Sequence, residues 1–311
     1  MFMHTRNSKP NHLLLPKTNL RPNTNYKLMN DKTLSVIIPV YNESKSIAKT
    51  VNTLLSVLLK SDIEHEIIIV DDGSTDKSGI MIEGMNEVIL LKHPANKGYG
   101  ASIKTGLSRA KYDNICITDA DGTYPLEKIP SLLEKMSDQD MVVGARIGDG
   151  VDYSWIRRIP KFFLRHYVNF ITSSSVPDIN SGLRIFDKEK AKKFYKLYPD
   201  GFSLTTTITI AFLTSGYTIL FEPISYKKRV GKSKIQPIRD TVRFFQLITR
   251  LGMYFAPLKV LLPISYMFFI FFFCSLYYDI NHLSNLTDKT IILLVFSFNI
   301  LILSIMADVS I

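Results

Sequence analysis

The chain of 311 residues is poor in the side chains that build several common kinds of site. It has two cysteines, Cys116 in a strand-like run and Cys274 in a long apolar one, which excludes a disulfide framework and a thiolate metal cluster. Its six histidines show no metal-ligand spacing, and its single tryptophan, Trp155, stands alone. Two nucleotide motifs fail. Gly98-Tyr99-Gly100 has Ile103 where a dinucleotide fingerprint needs a third glycine. Gly231-Lys232-Ser233 has Tyr226 where a phosphate-binding loop needs its first glycine. Dehydrogenase, kinase and ATPase chemistry are set aside on these grounds. The first 28 residues contain no acidic residue and no apolar run of signal-peptide length. Residues 1–32 read as a basic, disordered tail, and Met29 is a second candidate start.

What is abundant is apolar sequence near the C-terminus and positive charge just before it. Val260 to Tyr278 and Thr290 to Ala307 contain no charged residue, and each approaches the length that crosses a bilayer core of about 30 Å. A pair of buried core helices is the alternative, but such helices seldom run this long without a polar face. The net charge of +10 is concentrated in residues 1–32 and in residues 225–260, where nine Lys/Arg face Asp240 alone. A nucleic-acid binder would carry such charge on its folded domain. A basic block abutting an apolar span instead marks the cytoplasmic side of a membrane protein. Residues 257–308 are therefore expected as two transmembrane helices, an integral membrane hairpin with the N-terminal domain and the C-terminus cytoplasmic. The chain ends at Ile311, where a polar tail is expected, so truncation stays open, as does homo-oligomerisation. Asn285-Leu286-Thr287 matches a glycosylation sequon but lies too near a span to count.

Upstream, short β-branched runs alternate with helical periodicity. Strands are expected at Leu34–Pro39, Glu66–Val70, Val88–Leu91, Ile115–Thr118 and Met141–Val143, with helices around 47–58, 76–85, 100–110 and 126–137. Further strands are expected at Leu183–Phe186 and Tyr217–Phe221, and a basic, aromatic-rich helix at Arg158–Ile171. This predicts an α/β fold over residues 33–234: a doubly wound, mostly parallel sheet that binds ligands beyond the carboxyl ends of its strands. Residues 235–256 read as an amphipathic interfacial helix, with Arg239, Arg243, Gln246 and Arg250 on one face and Ile238, Val242, Phe245 and Ile248 on another. Packing of that helix on the α/β domain is the alternative.

The chemistry concentrates at strand ends. Asp119-Ala120-Asp121 puts two carboxylates just past a buried strand, where they can converge on Mg²⁺ or Mn²⁺ shared with a diphosphate. A lone Asp-x-Asp is weak; its position in the fold is what raises it. Asp71-Asp72-Gly73-Ser74-Thr75-Asp76 ends the second strand, and can serve as a base or ribose acceptor, as a capped turn, or as both together.

Val36-Ile37-Ile38-Pro39-Val40-Tyr41-Asn42-Glu43, Val70 to Asp76, Asn96-Lys97-Gly98-Tyr99-Gly100 and Asp119-Ala120-Asp121 together resemble the signatures of family 2 glycosyltransferases. The resemblance runs over roughly residues 33–260. It implies a GT-A fold, inverting transfer and a divalent metal. By matching motif it implies that Pro39, Tyr41, Glu43 and Asp72 hold the nucleoside, while Asp119, Ala120 and Asp121 meet the phosphates, Asp119 and Asp121 through the metal. The C-terminal spans resemble those of the polyprenyl-phosphate sugar synthases, the branch of dolichyl-phosphate mannose synthase. In that branch Arg229 and Lys234, within Arg229-Val230-Gly231-Lys232-Ser233-Lys234, would close over the donor phosphates. Arg146 and an arginine of the 157–165 segment, Arg158 being favoured, would meet the acceptor phosphate. Many members place a Gln two residues after the second Asp; Thr123 stands there instead, so the third metal ligand and the sugar are left open.

The expected reaction is transfer from a GDP- or UDP-linked sugar to a dolichyl or undecaprenyl phosphate. A hydroxyl acceptor needs a general base, whereas a phosphomonoester is already ionised and needs cations beside it. The region offers arginines and lysines and no spare base motif. Transfer to another membrane lipid or lipid-linked saccharide stays open, with an inactive membrane scaffold as a third reading.

Overall fold

In the computed structural model the described residues are 32–147, 155–201, 203–226, 237–283 and 285–310, with the side chains of 155–161 and 237–241 left aside. Seven strands form one sheet: β1 (Thr33–Val40), β2 (Glu64–Asp71), β3 (Ile89–Lys92), β4 (Asn114–Ile117), β5 (Met141–Ala145), β6 (Arg184–Asp187) and β7 (Ile219–Pro223). Their order is β3-β2-β1-β4-β6-β5-β7. All pairings are parallel except those of β6, which runs antiparallel between β4 and β5. The doubly wound, mostly parallel sheet is therefore present. The insertion of β6 between β4 and β5 is a rearrangement that strand periodicity does not encode.

The helices are α1 (Ile47–Lys60), α2 (Ser78–Glu83), α3 (Tyr99–Arg109), α4 (Ile129–Glu134), α5 (Trp155–Thr172), α6 (Lys188–Lys192), α7 (Leu204–Thr214), α8 (Pro237–Phe255), α9 (Pro257–Tyr278) and α10 (Asp288–Val309). β1 is buried on both faces, as expected of a central strand in a covered parallel sheet. Leu34, Val36, Ile38 and Val40 pack with Val51, Leu54 and Leu58 of α1 and with Leu132 and Leu133 of α4. On the other face Ile37 packs with Ile103 and Leu107 of α3 and with Leu204, Ile208 and Phe212 of α7.

Pro39 opens the sheet where a ligand can enter. The Ile37 carbonyl accepts from Thr118 and the Val40 carbonyl from Asp72, so odd-numbered residues of β1 face β4 and even-numbered ones face β2. The β1–β4 register ends at Ile37 opposite Ile117, so the missing N–H of Pro39 falls beyond that ladder and costs no hydrogen bond. β1 lies between β2 and β4, which makes this gap the point where strand order reverses.

A third apolar cluster joins α5, α7 and α8 through Val168, Ile171, Ile210, Ile248 and Leu251. The apolar face expected of α8 divides. Ile248 and Leu251 are buried inward, whereas Val242 and Phe245 are half exposed, and Phe245 stacks on Tyr167 of α5 at 5.1 Å. Docking on the catalytic domain and an exposed apolar face thus coexist in one helix. α5 likewise exposes Phe162, Phe163 and Phe170. Lys259 at the start of α9 donates to the Ile171 carbonyl at 2.8 Å and to Ser173 Oγ at 2.6 Å, capping the C-terminal end of α5.

α9 and α10 are long and apolar enough to cross a membrane, as length and composition go; at 22 residues each they reach about 33 Å. Polar contacts clasp them to each other. Ser265 Oγ donates to the Ser297 carbonyl at 2.8 Å, and Ser275 Oγ meets Thr290 Oγ1 at 2.5 Å. Asp279, in the π-helical turn Asp279–Leu283, accepts from Thr287 N, Thr287 Oγ1 and Thr290 Oγ1 at 2.7–2.8 Å.

Candidate active site

The residues at the carboxyl ends of β1 and β2 form one clasp. Asn42 has φ 58°, an αL conformation that asparagine tolerates. Its Oδ1 accepts from Thr75 N at 2.8 Å and Asp76 N at 3.3 Å, while its own N–H donates to Ser74 Oγ at 3.1 Å. Glu43 N donates to Ser78 Oγ at 2.9 Å, and Ser44 N to Asp76 Oδ2 at 3.1 Å. Burial works to raise the Asp76 pKa, but hydrogen bonds from Ser78 and Ser44 win and hold it at about 2. Tyr41 and Glu43 stand on this clasp, half-buried at the crevice.

Asp72 has a structural role that its motif does not reveal. Its Oδ1 accepts from Lys97 N at 2.9 Å and its Oδ2 from Gly98 N at 2.8 Å. His93 Nδ1 lies 2.6 Å from the same Oδ1, and its Nε2 lies 2.9 Å from Thr105 Oγ1. With only 2% of its surface exposed, Asp72 holds the 96–98 loop from inside. Besides any contact with a nucleoside, Asp72 thus shapes the wall of the crevice through that loop. The glycines that fail as a dinucleotide fingerprint explain themselves here. Gly98, at φ +106°, and Gly100 lie so close to the backbone of Pro199 and Asp200 that a Cβ on either would collide with a carbonyl oxygen.

Asp119, Ala120 and Asp121 follow β4. Thr50 Oγ1 of α1 donates to the Ala120 carbonyl at 3.0 Å, fixing the backbone of the motif. Asp121 Oδ1 accepts from Thr123 Oγ1 at 2.6 Å and from Thr123 N at 3.1 Å. Thr123, with 1% of its surface exposed, therefore orients the carboxylate from behind. Asp119 lies against Gly182, where a Cβ would stand 2.7 Å from Oδ1 and 2.8 Å from Oδ2. Gly182 N donates to Tyr124 Oη at 2.7 Å. Burial, reinforced by the Asp119 charge, pushes the Tyr99 and Tyr124 hydroxyls well up, so both are uncharged neighbours of that carboxylate.

Among the described residues no cluster of three or more His, Cys, Asp or Glu gathers to hold a metal by itself. Two oriented carboxylates with no nitrogen or sulfur beside them suit a hard cation that completes its shell with phosphate and water. They do not suit zinc. The donor set thus fits Mg²⁺ or Mn²⁺ held jointly with a diphosphate.

Arg146 follows β5, whose carboxyl end lies on the same edge of the sheet. Asp178 grips it in a fork: Nε to Oδ2 at 2.7 Å, Nη2 to Oδ1 at 2.9 Å, and the Arg146 N–H to Oδ2 at 3.0 Å. Burial opposes charge on both partners, yet their pairing overrides it: Asp178 stays below the usual carboxylate range and Arg146 above the usual guanidinium range. A depressed carboxylate pKa means the pair is intact above the ordinary aspartate range and is lost only as pH falls through the lowered value. The guanidinium also faces the Tyr226 ring at 5.3 Å. Arg158 lies within α5, its side chain outside the described residues, and Arg229 and Lys234 lie outside them altogether.

Arg184, on β6, is fully buried. It donates from Nε at 3.1 Å and Nη2 at 2.6 Å to the Ser181 carbonyl, and from Nη1 to the Thr205 carbonyl and Thr209 Oγ1, both at 2.9 Å. Burial lowers its pKa to about 10, so it remains charged at neutral pH. His93, Asp178, Gly182 and Arg184 are the residues that reading the sequence missed. None sits in an acidic strand-end motif, and only the fold brings them under those motifs.

The chain was compared with known proteins on this footing. It is 28% identical over 232 residues to the low-salt glycan biosynthesis hexosyltransferase Agl6 of Haloferax volcanii, covering 72% of this chain and 55% of that protein, so it spans about half of that relative's length. It is 26% identical over 206 residues to the dolichyl-phosphate hexose transferase of the same organism, covering 66% of this chain and 87% of that protein. The undecaprenyl-phosphate 4-deoxy-4-formamido-L-arabinose transferase of Proteus mirabilis is 29% identical over 234 residues, covering 73% and 70%. Among solved structures, glucosyl-3-phosphoglycerate synthase from Mycobacterium tuberculosis in complex with Mn²⁺, uridine diphosphate and phosphoglyceric acid shares the GT-A-type fold. It matches with a TM-score of 0.57 at 16% identity, over 76% of this chain and 85% of that one. The model of Glycosyl transferase family 2 matches residues 35–195, more than half of the chain, and the protein belongs to that family.

Proposed function

We propose that the protein transfers a sugar, with inversion, from a nucleoside-diphosphate sugar to a polyprenyl phosphate at the cytoplasmic face of a membrane. The observation that carries this reading is a pair of oriented groups on one edge of the sheet. Asp121 is braced by Thr123 beyond β4, and Arg146 is clamped by Asp178 beyond β5 with a quarter of its side chain exposed. One offers anionic oxygens for a metal-bound diphosphate, the other a fixed cation for a second anion. The names of the two lipid-phosphate relatives support the acceptor, and the Mn²⁺ and uridine diphosphate held by the structural neighbour support the donor class and a divalent ion.

In this reading Tyr41 and Glu43 line the nucleoside side of the crevice, and Asp72 acts by holding the 96–98 loop. Asp119 and Asp121 hold Mg²⁺ or Mn²⁺, which when bound supplies positive charge against the departing diphosphate. Arg146 orients the acceptor phosphate for attack at the anomeric carbon, and no side chain need remove a proton. Arg158, Arg229 and Lys234 are further candidates for phosphate contact. α5 and α8 lie along the membrane surface by their exposed aromatic residues, and α9 and α10 span it, which keeps the site at the interface where a lipid phosphate resides.

The test incubates membranes holding the protein with labelled sugar nucleotides and polyprenyl phosphate, followed by mass analysis of the lipid fraction. A polyprenyl-phosphate sugar formed from one donor, and lost in Asp121→Ala with membrane insertion intact, is the expected result. Near-normal turnover by Asp121→Ala would refute the metal site.

A further inference from the structure

The turn from Asp178 to Gly182 touches both halves of the site. At its start Asp178 holds Arg146 by three hydrogen bonds. At its end Gly182 seats the Asp119 carboxylate and donates its N–H to Tyr124. In between, Ser181 Oγ donates to the Gly144 carbonyl and Asn180 Oδ1 accepts from Thr206 Oγ1, tying the turn to β5 and α7. Arg184 grips the turn from below through the Ser181 carbonyl, with a longer bond to Ile179 O at 3.4 Å. A buried guanidinium spent on backbone carbonyls is costly to desolvate, which favours a rigid turn over a mobile one.

We infer that Asp178 is a positioning residue for the acceptor: it aims Arg146 so that the free part of its fork meets the acceptor phosphate. The inference rests on the assignment of Arg146 to that phosphate. Asp178 occupies Nε and Nη2, and Nη1 meets no protein acceptor among the described residues. Asp178 is the more buried partner, its side chain 10% exposed against 25% for Arg146, so the carboxylate fixes and the guanidinium presents. The pair carries no net charge. It therefore selects by direction and hydrogen bonding more than by bulk attraction, as suits a site that must place a nucleophile rather than merely collect anions. Gly182 serves the donor side of the same turn, because any side chain there would displace Asp119.

Steady-state kinetics on the full-length protein in detergent, with donor and polyprenyl phosphate varied separately, tests this. Asp178→Asn removes the charge and leaves one acceptor oxygen where the Arg146 fork uses two. Its kcat/KM for polyprenyl phosphate should fall by between about tenfold and a hundredfold. Donor KM and Mn²⁺ affinity by electron paramagnetic resonance should stay near wild type, while Tm falls because a buried pair has lost one charge. Gly182→Ala should do the reverse, weakening Mn²⁺ binding first. Arg146→Gln separates this inference from the reading beneath it. If Arg146→Gln impairs use of the acceptor and Asp178→Asn does not, the positioning role alone is overturned. If Arg146→Gln leaves acceptor kinetics unchanged, both fall. A loss shared equally by donor and acceptor in Asp178→Asn would mean Asp178 is merely structural. Should Asp178→Asn not accumulate, Asp178→Glu, one methylene too long, must show the same acceptor-only defect.

Discussion

At the scale of single residues, the site is defined by what stands behind each functional group. Asp121 stands out in the sequence as a candidate ligand, since an Asp-x-Asp after a buried strand suits a hard cation. Its brace was not: Thr123 marked a missing ligand, and only the structure shows its hydroxyl on the carboxylate at 2.6 Å. Thr123→Val keeps the shape and removes that hydrogen bond. Groups that orient metal ligands commonly contribute about 10–100-fold to affinity or activity. Mn²⁺ affinity in Thr123→Val, read by electron paramagnetic resonance, should weaken within that range, with secondary structure unchanged. An unaltered affinity would show that Thr123 only packs. Asp72 teaches the same lesson from the other side. Its motif points to a ligand contact and says nothing of His93, distant by 21 residues, or of the two backbone N–H groups that its oxygens also hold.

At the scale of elements, the strands were legible because β1, β2 and β4 are buried runs of β-branched residues bounded by Pro, Asp and Gly. The place of β6 was not, because periodicity reports which residues face a core and not which strand lies alongside. The split face of α8 was also hidden: a helical wheel groups Val242, Phe245 and Ile248, while packing buries only Ile248. The junction of α8 with α5 and α9 depends on Gly252. A Cβ there would stand 2.7 Å from Ile171 Cδ1 and 2.8 Å from Val260 Cγ2. Gly252→Val should pry the three helices apart, costing about 1–3 kcal/mol from overpacking. Thermal unfolding in detergent should show a lower Tm, and proteolysis should become faster at the α8–α9 junction. A Tm equal to wild type would mean that the junction yields without cost.

At the scale of the whole molecule, one sheet edge carries the Asp119–Asp121 carboxylates and the Arg146 guanidinium, and the two helices at the C-terminal end of the chain are long and apolar enough to cross a membrane. The two halves are linked through elements rather than through a flexible tether. Lys259 of α9 caps α5, and α5, α7 and α8 share a core. Charge patterning along the chain already suggested this arrangement, since the basic block lies directly before the first apolar run. The sugar was not legible, because its contacts depend on side chains that no motif singles out.

The central claim is that the acceptor is a lipid phosphate, placed by arginine and needing no general base. Transfer to polyprenyl phosphate measured beside transfer to the polyprenol of the same chain length tests it most directly. Product from the phosphate and none from the alcohol is the expected result. Comparable transfer to the alcohol would contradict it, because that reaction demands a base and makes no use of the Arg146 fork.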